Sequence, residues 1–191
     1  MSAPMTGVAV SRSKSADATL QIAIVVAASL FVAVCARFSL SIPGTPVPLS
    51  MQNFAVLLVG LSLGSRRGFI ALALCLAEGV AGLPVFAPVG APGILRFIGP
   101  TAGYLIAYPF VAALAGYIFE HGKQTFARAA SAAIAGELLL FASGISWLFA
   151  LSHSLSRAIA FGLYWFIFAE VMKVMFAAGV VTTWRRFVPQ A

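Results

Sequence analysis

Residues 20–36 read LQIAIVVAASLFVAVCA, a run without a single charged side chain. A spanning helix needs roughly 20 apolar residues to cross a hydrocarbon core about 30 Å thick. With its flanks, residues 19–40, the run meets that length. Arg12 and Lys14 precede it, as basic residues precede a secretory signal, but further apolar runs follow directly. It therefore reads as a first spanning helix rather than a cleaved leader. Outward from this stretch the chain keeps the same character: of its 191 residues 61% are hydrophobic and 9% charged. Its mean hydropathy is +1.01. Soluble domains carry about 25% charged residues, and a domain of this size must still cover itself with polar surface. The composition excludes a soluble fold.

Prolines, glycines and basic clusters divide the remainder into further apolar runs. The loop at residues 43–48, PGTPVP, cannot be helical, because prolines remove donors and constrain the residues before them. The spacing predicts helices over about 19–40, 49–63, 69–82, 100–119, 129–151 and 158–184. GSRRG at 64–68 forms a tight basic turn between the second and third, and LPVFAPVGAPGILRFIG at 83–99 a long loop before the fourth. Pro100 suits the first position of a helix. The expected architecture is an all-α membrane protein of six transmembrane helices: a tail at 1–18, a bundle over 19–185 and a tail at 186–191.

Six crossings put both termini on one side. That side would hold Arg12, Lys14, Arg66, Arg67, Lys123, Arg128, Arg185 and Arg186; the other would hold Arg37, Arg96 and Arg157. Lysine and arginine accumulate in cytoplasmic loops, so both termini are expected in the cytoplasm. The formal net charge of +7 is thereby a topology signal, not a nucleic-acid surface. No stretch interleaves basic and aromatic residues as such a surface would. The proline- and glycine-rich loops then fall outside, where loops of that length more often act as lids than as connectors.

Small residues recur four apart at Ala23 and Ala27. Such spacing lets helices approach closely in lipid, either within this bundle or against another membrane subunit. Cys35 and Cys75 each lie inside an apolar run and read as small packing residues.

Ionisable residues within spans are costly and mark function. Glu78, Glu137, Glu170 and Lys173 are four such residues. Glu170 and Lys173, three apart, share a helix face within ion-pair reach. They suit either a structural pair or a ligand site offering an acceptor beside a donor. Glu78, Gln52, Asn53 and Arg96 fall toward the outer ends of their segments and are expected to converge with Glu170 on a pocket in the outer half of the bundle. Interhelical hydrogen bonding for Gln52 and Asn53, and interfacial anchoring for Arg96, are the plain alternatives. Glu137 enters from the cytoplasmic side, about nine residues past Arg128, and is expected to serve packing or a partner.

Catalysis is poorly served. His121 and His153 fall in turns on opposite sides, and no His/Cys/Glu cluster has metal spacing. No GxxxxGK[ST] is present, so ATP would have to be hydrolysed by another chain. No enzyme activity and no cofactor are expected. An intramembrane enzyme using Glu78 or Glu137 as a base would need a partner acid or metal.

The runs PVPLSMQNFAVLLVG (46–60), LGSRRG (63–68), GLPVFA (82–87) and IGPTAGYLIAY (98–108), with Glu170-Val171-Met172-Lys173 on the last helix, resemble the BioY family. These are biotin-binding S components of energy-coupling factor transporters. The resemblance implies a six-helix S-component bundle in the bacterial inner membrane that captures biotin from outside. It would work with a transmembrane coupling (T) component and a pair of ABC-type ATPases. It assigns biotin contact to Glu170 and Lys173, helped by the 83–99 loop. Biotin's ureido ring, with two N–H donors and one carbonyl acceptor, complements a carboxylate and an ammonium, and its valerate carboxylate suits a guanidinium such as Arg96. Phe86, Phe97, Tyr104 or Trp165 would supply apolar walls. Two departures stand out: the family often has aspartate at the position of Glu170, and some members have arginine at that of Leu105. A stand-alone secondary transporter of a small solute is the alternative; no similarity between the halves supports it.

Overall fold

The computed structural model describes residues 14–187. Most of the expected tails, including Arg12 and residues 188–191, lie outside the described residues. In chain order the elements are α1 (Lys14–Ala36), β1 (Ser39–Leu40), β2 (Leu49–Ser50), α2 (Gln52–Val80), a 3₁₀ helix (Gly93–Ile98), α3 (Ala102–Glu120), α4 (Phe126–Ser152), α5 (Leu155–Ile159), a π-helical turn (Ala160–Tyr164) and α6 (Ile167–Phe187). Among the described residues, five helices are long and apolar enough to cross a membrane.

The first helix stops at Ala36, short of the expected Leu40. Arg37 N and Phe38 N close the last turn on the carbonyls of Val34 and Cys35. The chain then enters an antiparallel ribbon, with Ser39 opposite Ser50 and Leu40 opposite Leu49. The 43–48 proline loop is the tip of this ribbon. Its two short arms give residues 39 and 50 backbone partners that the prolines cannot supply.

Helix α2 runs through the two helices expected at 49–63 and 69–82, but it is not straight. Gly64 has φ +80° and ψ 178°, outside the helical region. A Cβ on Gly68 would lie 3.2 Å from the Cα of Gly60. In a straight helix, residues eight apart are separated by about 12 Å. The chain therefore folds back at Gly64, giving two antiparallel arms, 52–63 and 65–80. The reversal occupies one residue rather than the five expected, because glycine alone takes a positive φ without strain. The backbone N–H of Ser65, at the start of the second arm, donates to Glu120 Oε2 at 3.1 Å.

Small residues make this hairpin possible. A Cβ on Gly60 would sit 2.5 Å from the carbonyl oxygen of Ala112, and one on Gly116 would sit 2.5 Å from Ser65 N. Both arms of α2 thus touch the backbone of α3. In lipid, where apolar burial does not drive helices together, such close approach is what van der Waals association needs. Ala23 and Ala27, expected to pack within the bundle or against another membrane subunit, are exposed on α1.

The connections segregate to two ends. At one, Arg185 donates to Gln124 Oε1 at 2.5 Å and to the carbonyl of Leu61 at 3.3 Å. This gathers the Gly64 reversal, the 121–125 link and the end of α6. At the other, Trp147 Nε1 donates to the carbonyl of Gly99 at 2.9 Å, and Arg37 donates to the carbonyl of Pro84.

The helix expected at 158–184 is broken. Five residues of α5 lead into the π-helical turn, and α6 begins only at Ile167. Such turns leave carbonyls without helical partners. Thr45 Oγ1 donates to the carbonyl of Phe161 at 2.6 Å, and the Tyr104 hydroxyl donates to that of Gly162 at 2.8 Å. The ribbon tip and α3 thus satisfy what the broken helix exposes.

Candidate functional site

The second end of the bundle encloses a cavity. About 610 Å³ of space free of atoms lies within its walls, part of it open to the outside. The ribbon contributes Val47, Pro48 and Ser50, and the first turn of α2 contributes Gln52 and Asn53. Phe86, Ala87 and Arg96 come from the 83–99 segment, and Thr101, Tyr104, Leu105 and Tyr108 from α3. Leu140 and Phe141 of α4, Gly162 of the π turn, and Phe166 and Glu170 close it.

A polar cluster forms its floor. Lys173 Nζ donates to Glu170 Oε1 at 2.7 Å and to the carbonyl of Ser50 at 2.7 Å. Asn53 Nδ2 donates to Glu170 Oε2 at 2.8 Å and to Glu137 Oε1 at 2.6 Å. Glu137 is 6% exposed, Glu170 8% and Lys173 7%. Charges this deep are tolerated only when paired and hydrogen-bonded. The cluster meets that condition for Glu170 and Lys173. Three side-chain atoms in this region, Gln52 Nε2, Asn53 Oδ1 and Glu137 Oε2, are buried without a partner among the described residues. Orphaned polar atoms beside a cavity are what a polar ligand would satisfy.

Arg96 is the cation in the cavity wall. It sits on the 3₁₀ helix, buried, and donates to the carbonyls of Ala87 and Val89. Its guanidinium carbon lies 6.0 Å from the ring centre of Phe86. Burial pulls its pKa below the ordinary value, and the Tyr108 side chain opposes this; a guanidinium stays charged regardless. Two carbonyls occupy only part of its five N–H donors. Gly90 has φ +101°, and a Cβ there would meet Arg96 Nη1 at 2.2 Å. Phe86 and Phe97 stack edge to face at 5.8 Å behind it.

Of the residues singled out in the sequence, Glu170, Arg96, Gln52, Asn53, Phe86 and Tyr104 therefore share one cavity. Lys173 touches it through Glu170; its own side chain opens on a separate groove beside the ribbon and α6. Glu78 does not join them. It accepts from Ser29 Oγ at 2.6 Å, between α1 and the second arm of α2. Trp165 is 51% exposed, turned away by the break in the last helix, and Phe166 takes the wall position instead. Glu137, expected to serve packing or a partner, is in the floor cluster. Nine residues of helix past Arg128 rise about 14 Å, about half of a ~30 Å core, which puts Glu137 well inside its span, where Asn53 Nδ2 reaches it. Tyr108 and Phe141 were also missed as walls. Tyr108 follows Tyr104 by four residues, one turn along the same face, which was the available signal.

Apolar helices that cross a bilayer, closed around a small cavity with a charged floor, define a multi-pass membrane protein built to hold a small polar ligand. The BioY family model matches residues 6–190, nearly the whole length. The chain belongs to the BioY family. It is 36% identical to the probable biotin transporter BioY of Pyrococcus horikoshii, over 76% of this chain and 85% of that one. With the biotin transporter BioY of Thermotoga maritima it shares 34% identity, covering 73% of this chain and 81% of the relative. The relative in Rhizobium etli is 36% identical across 79% and 84% of the two chains. Among solved structures, the S-component for biotin from an ECF-type ABC transporter superposes with a TM-score of 0.82 at 23% identity. That match covers 92% of this chain and 95% of the other. At that identity the superposition speaks for the fold.

Proposed function

We propose that the chain is the substrate-capturing S component for biotin, taking it from outside the cell for uptake. The observation that carries this reading is the polarity of the cavity. Acceptors gather at one end (Glu170 and Asn53, with Lys173 behind them), and one cation, Arg96, stands in the loop wall. Biotin has the matching pattern: ureido N–H donors at one end, a carboxylate at the other and an apolar thiophane between. The ureido ring would meet Glu170 and Asn53, the valerate would meet Arg96, and Phe86, Tyr104 and Phe166 would flank the middle. The names of the three relatives support the choice of ligand.

Counting the two arms of α2 separately gives six crossings, with both termini in the cytoplasm by the charge asymmetry of the loops. The cavity then faces outward in the bacterial inner membrane. Energy would come from a T component and ABC-type ATPases, because the chain carries no phosphate-binding loop. The solved relative, named as part of an ECF-type ABC transporter, supports this assembly. The exposed Ala23 and Ala27 on α1 offer the coupling subunit a close approach. Biotin is cargo in this scheme; no cofactor and no catalytic step are assigned. Calorimetric titration of the purified protein with biotin tests the reading: saturable heat at micromolar protein is expected, and none would overturn it. Uptake by proteoliposomes lacking any ATPase would overturn the dependence on partners.

A further inference from the structure

Glu137 lies on α4, buried beside the floor of the cavity. It reaches the floor because its neighbour Gly136 is small: a Cβ on Gly136 would already be 3.2 Å from Leu57 and from Val111. At that depth Glu137 Oε1 and Glu170 Oε2 both accept from Asn53 Nδ2, at 2.6 and 2.8 Å. Donation from the one Nδ2 to an oxygen of each carboxyl group fixes the orientation of the amide. Both amide protons are used. Oδ1 of Asn53 is then the group left without a partner among the described residues, on a side chain that lines the cavity. Glu137 itself is absent from the cavity wall.

We propose that Glu137 is a positioning residue that sets ligand specificity through Asn53. It locks the amide so that an acceptor, never a donor, is offered to the ligand. Beside Glu170, and with Gln52 Nε2 as the unpartnered donor of the region, Asn53 then adds an acceptor, which favours ligands carrying N–H donors at that end. With Glu137 gone, one Asn53 N–H loses its acceptor, and the amide is free to rotate and present that donor to the cavity. A ligand with an N–H there would then lose its partner, while one lacking the N–H would lose little. The inference rests on biotin, or another ligand with N–H donors at that end, occupying the cavity.

The test is calorimetric binding of biotin and of biotin methylated on its ureido nitrogens to four purified proteins: wild type, Glu137→Gln, Glu137→Met and Asn53→Ala. A double variant, Asn53→Ala with Glu137→Met, completes the set. Glutamine keeps an acceptor for Asn53, so Glu137→Gln should hold the wild-type preference for biotin over its methylated form. Glu137→Met should weaken biotin by about ten- to a hundredfold, the worth of one or two buried hydrogen bonds. It should leave the methylated ligand within about twofold, so the preference collapses. In the Asn53→Ala background, Glu137→Met should change neither affinity further. Equal losses for both ligands, or full additivity with Asn53→Ala, would overturn the positioning role and leave Glu137 a packing residue. Failure of wild type to bind biotin would instead overturn the functional reading on which the role depends. A misfolded Glu137→Met leaves the decision to Glu137→Gln: loss of its preference for biotin would contradict the proposal.

Discussion

Lys173 is buried and ion-paired with a cavity residue without lining the cavity itself. It holds Glu170 from behind at 2.7 Å and ties it to the ribbon through the carbonyl of Ser50. Removing one partner of a buried pair strands the other charge, at a cost of roughly 3–5 kcal/mol. Glu170→Ala and Lys173→Ala should therefore each weaken biotin binding by at least about a hundredfold in titration, on the scale of ~1.4 kcal/mol per factor of ten. If both variants bind like wild type, the pair is structural only. Arg96 gives a second test at this scale. Arg96→Lys keeps the charge but loses the fork that bonds two loop carbonyls and still has donors to spare. Weaker biotin binding is expected, in an otherwise stable protein. Gly90→Ala should copy that loss, because a methyl there collides with the Arg96 guanidinium and strains a backbone at φ +101°. Unchanged affinity in Gly90→Ala would detach Arg96 from the site.

At the scale of elements, the hairpin of α2 and its seam with α3 are the mechanical centre. Gly116→Leu would drive a side chain into the backbone at Gly64 and Ser65, which cannot give way. A fall in melting temperature of several degrees or more in detergent is expected, from overpacking worth about 1–3 kcal/mol; an unchanged melting curve would remove the seam from the account. Helices α3 and α4 were legible within about three residues, because long apolar runs sit between proline, glycine and charged punctuation. The reversal at Gly64 was legible as a turn, though its single-residue tightness was not, since that depends on Gly116 and Ala112 lying opposite. The break at Ala160–Tyr164 left no trace: AFGLY continues an apolar run, and only Thr45 and Tyr104, far off in sequence, supply the bonds that stabilise it. For the same reason Trp165 was mistaken for a wall. A π turn rotates everything after it, and Phe166 faces in instead.

Across the whole molecule, function depends on two ends with different contents. One gathers arginines and short links; the other gathers the ribbon, the 83–99 segment and the cavity. Cysteines introduced at Gln124 and at Ser154 test this division. In intact cells a membrane-impermeant maleimide should label Ser154→Cys and spare Gln124→Cys. The reverse pattern would invert the topology, and labelling of both would break it. Sequence carries an expectation at this level, because charge asymmetry is a property of the whole chain, and the labelling decides it. Sequence reached the site less well, since the depth of Glu137 and the inward turn of Asn53 are set by contacts between distant helices. The central claim is that this cavity holds biotin, and calorimetric titration of the purified wild-type protein tests it most directly. The account predicts saturable one-to-one binding that Glu170→Ala and Arg96→Lys weaken; absence of binding by well-folded protein would contradict it.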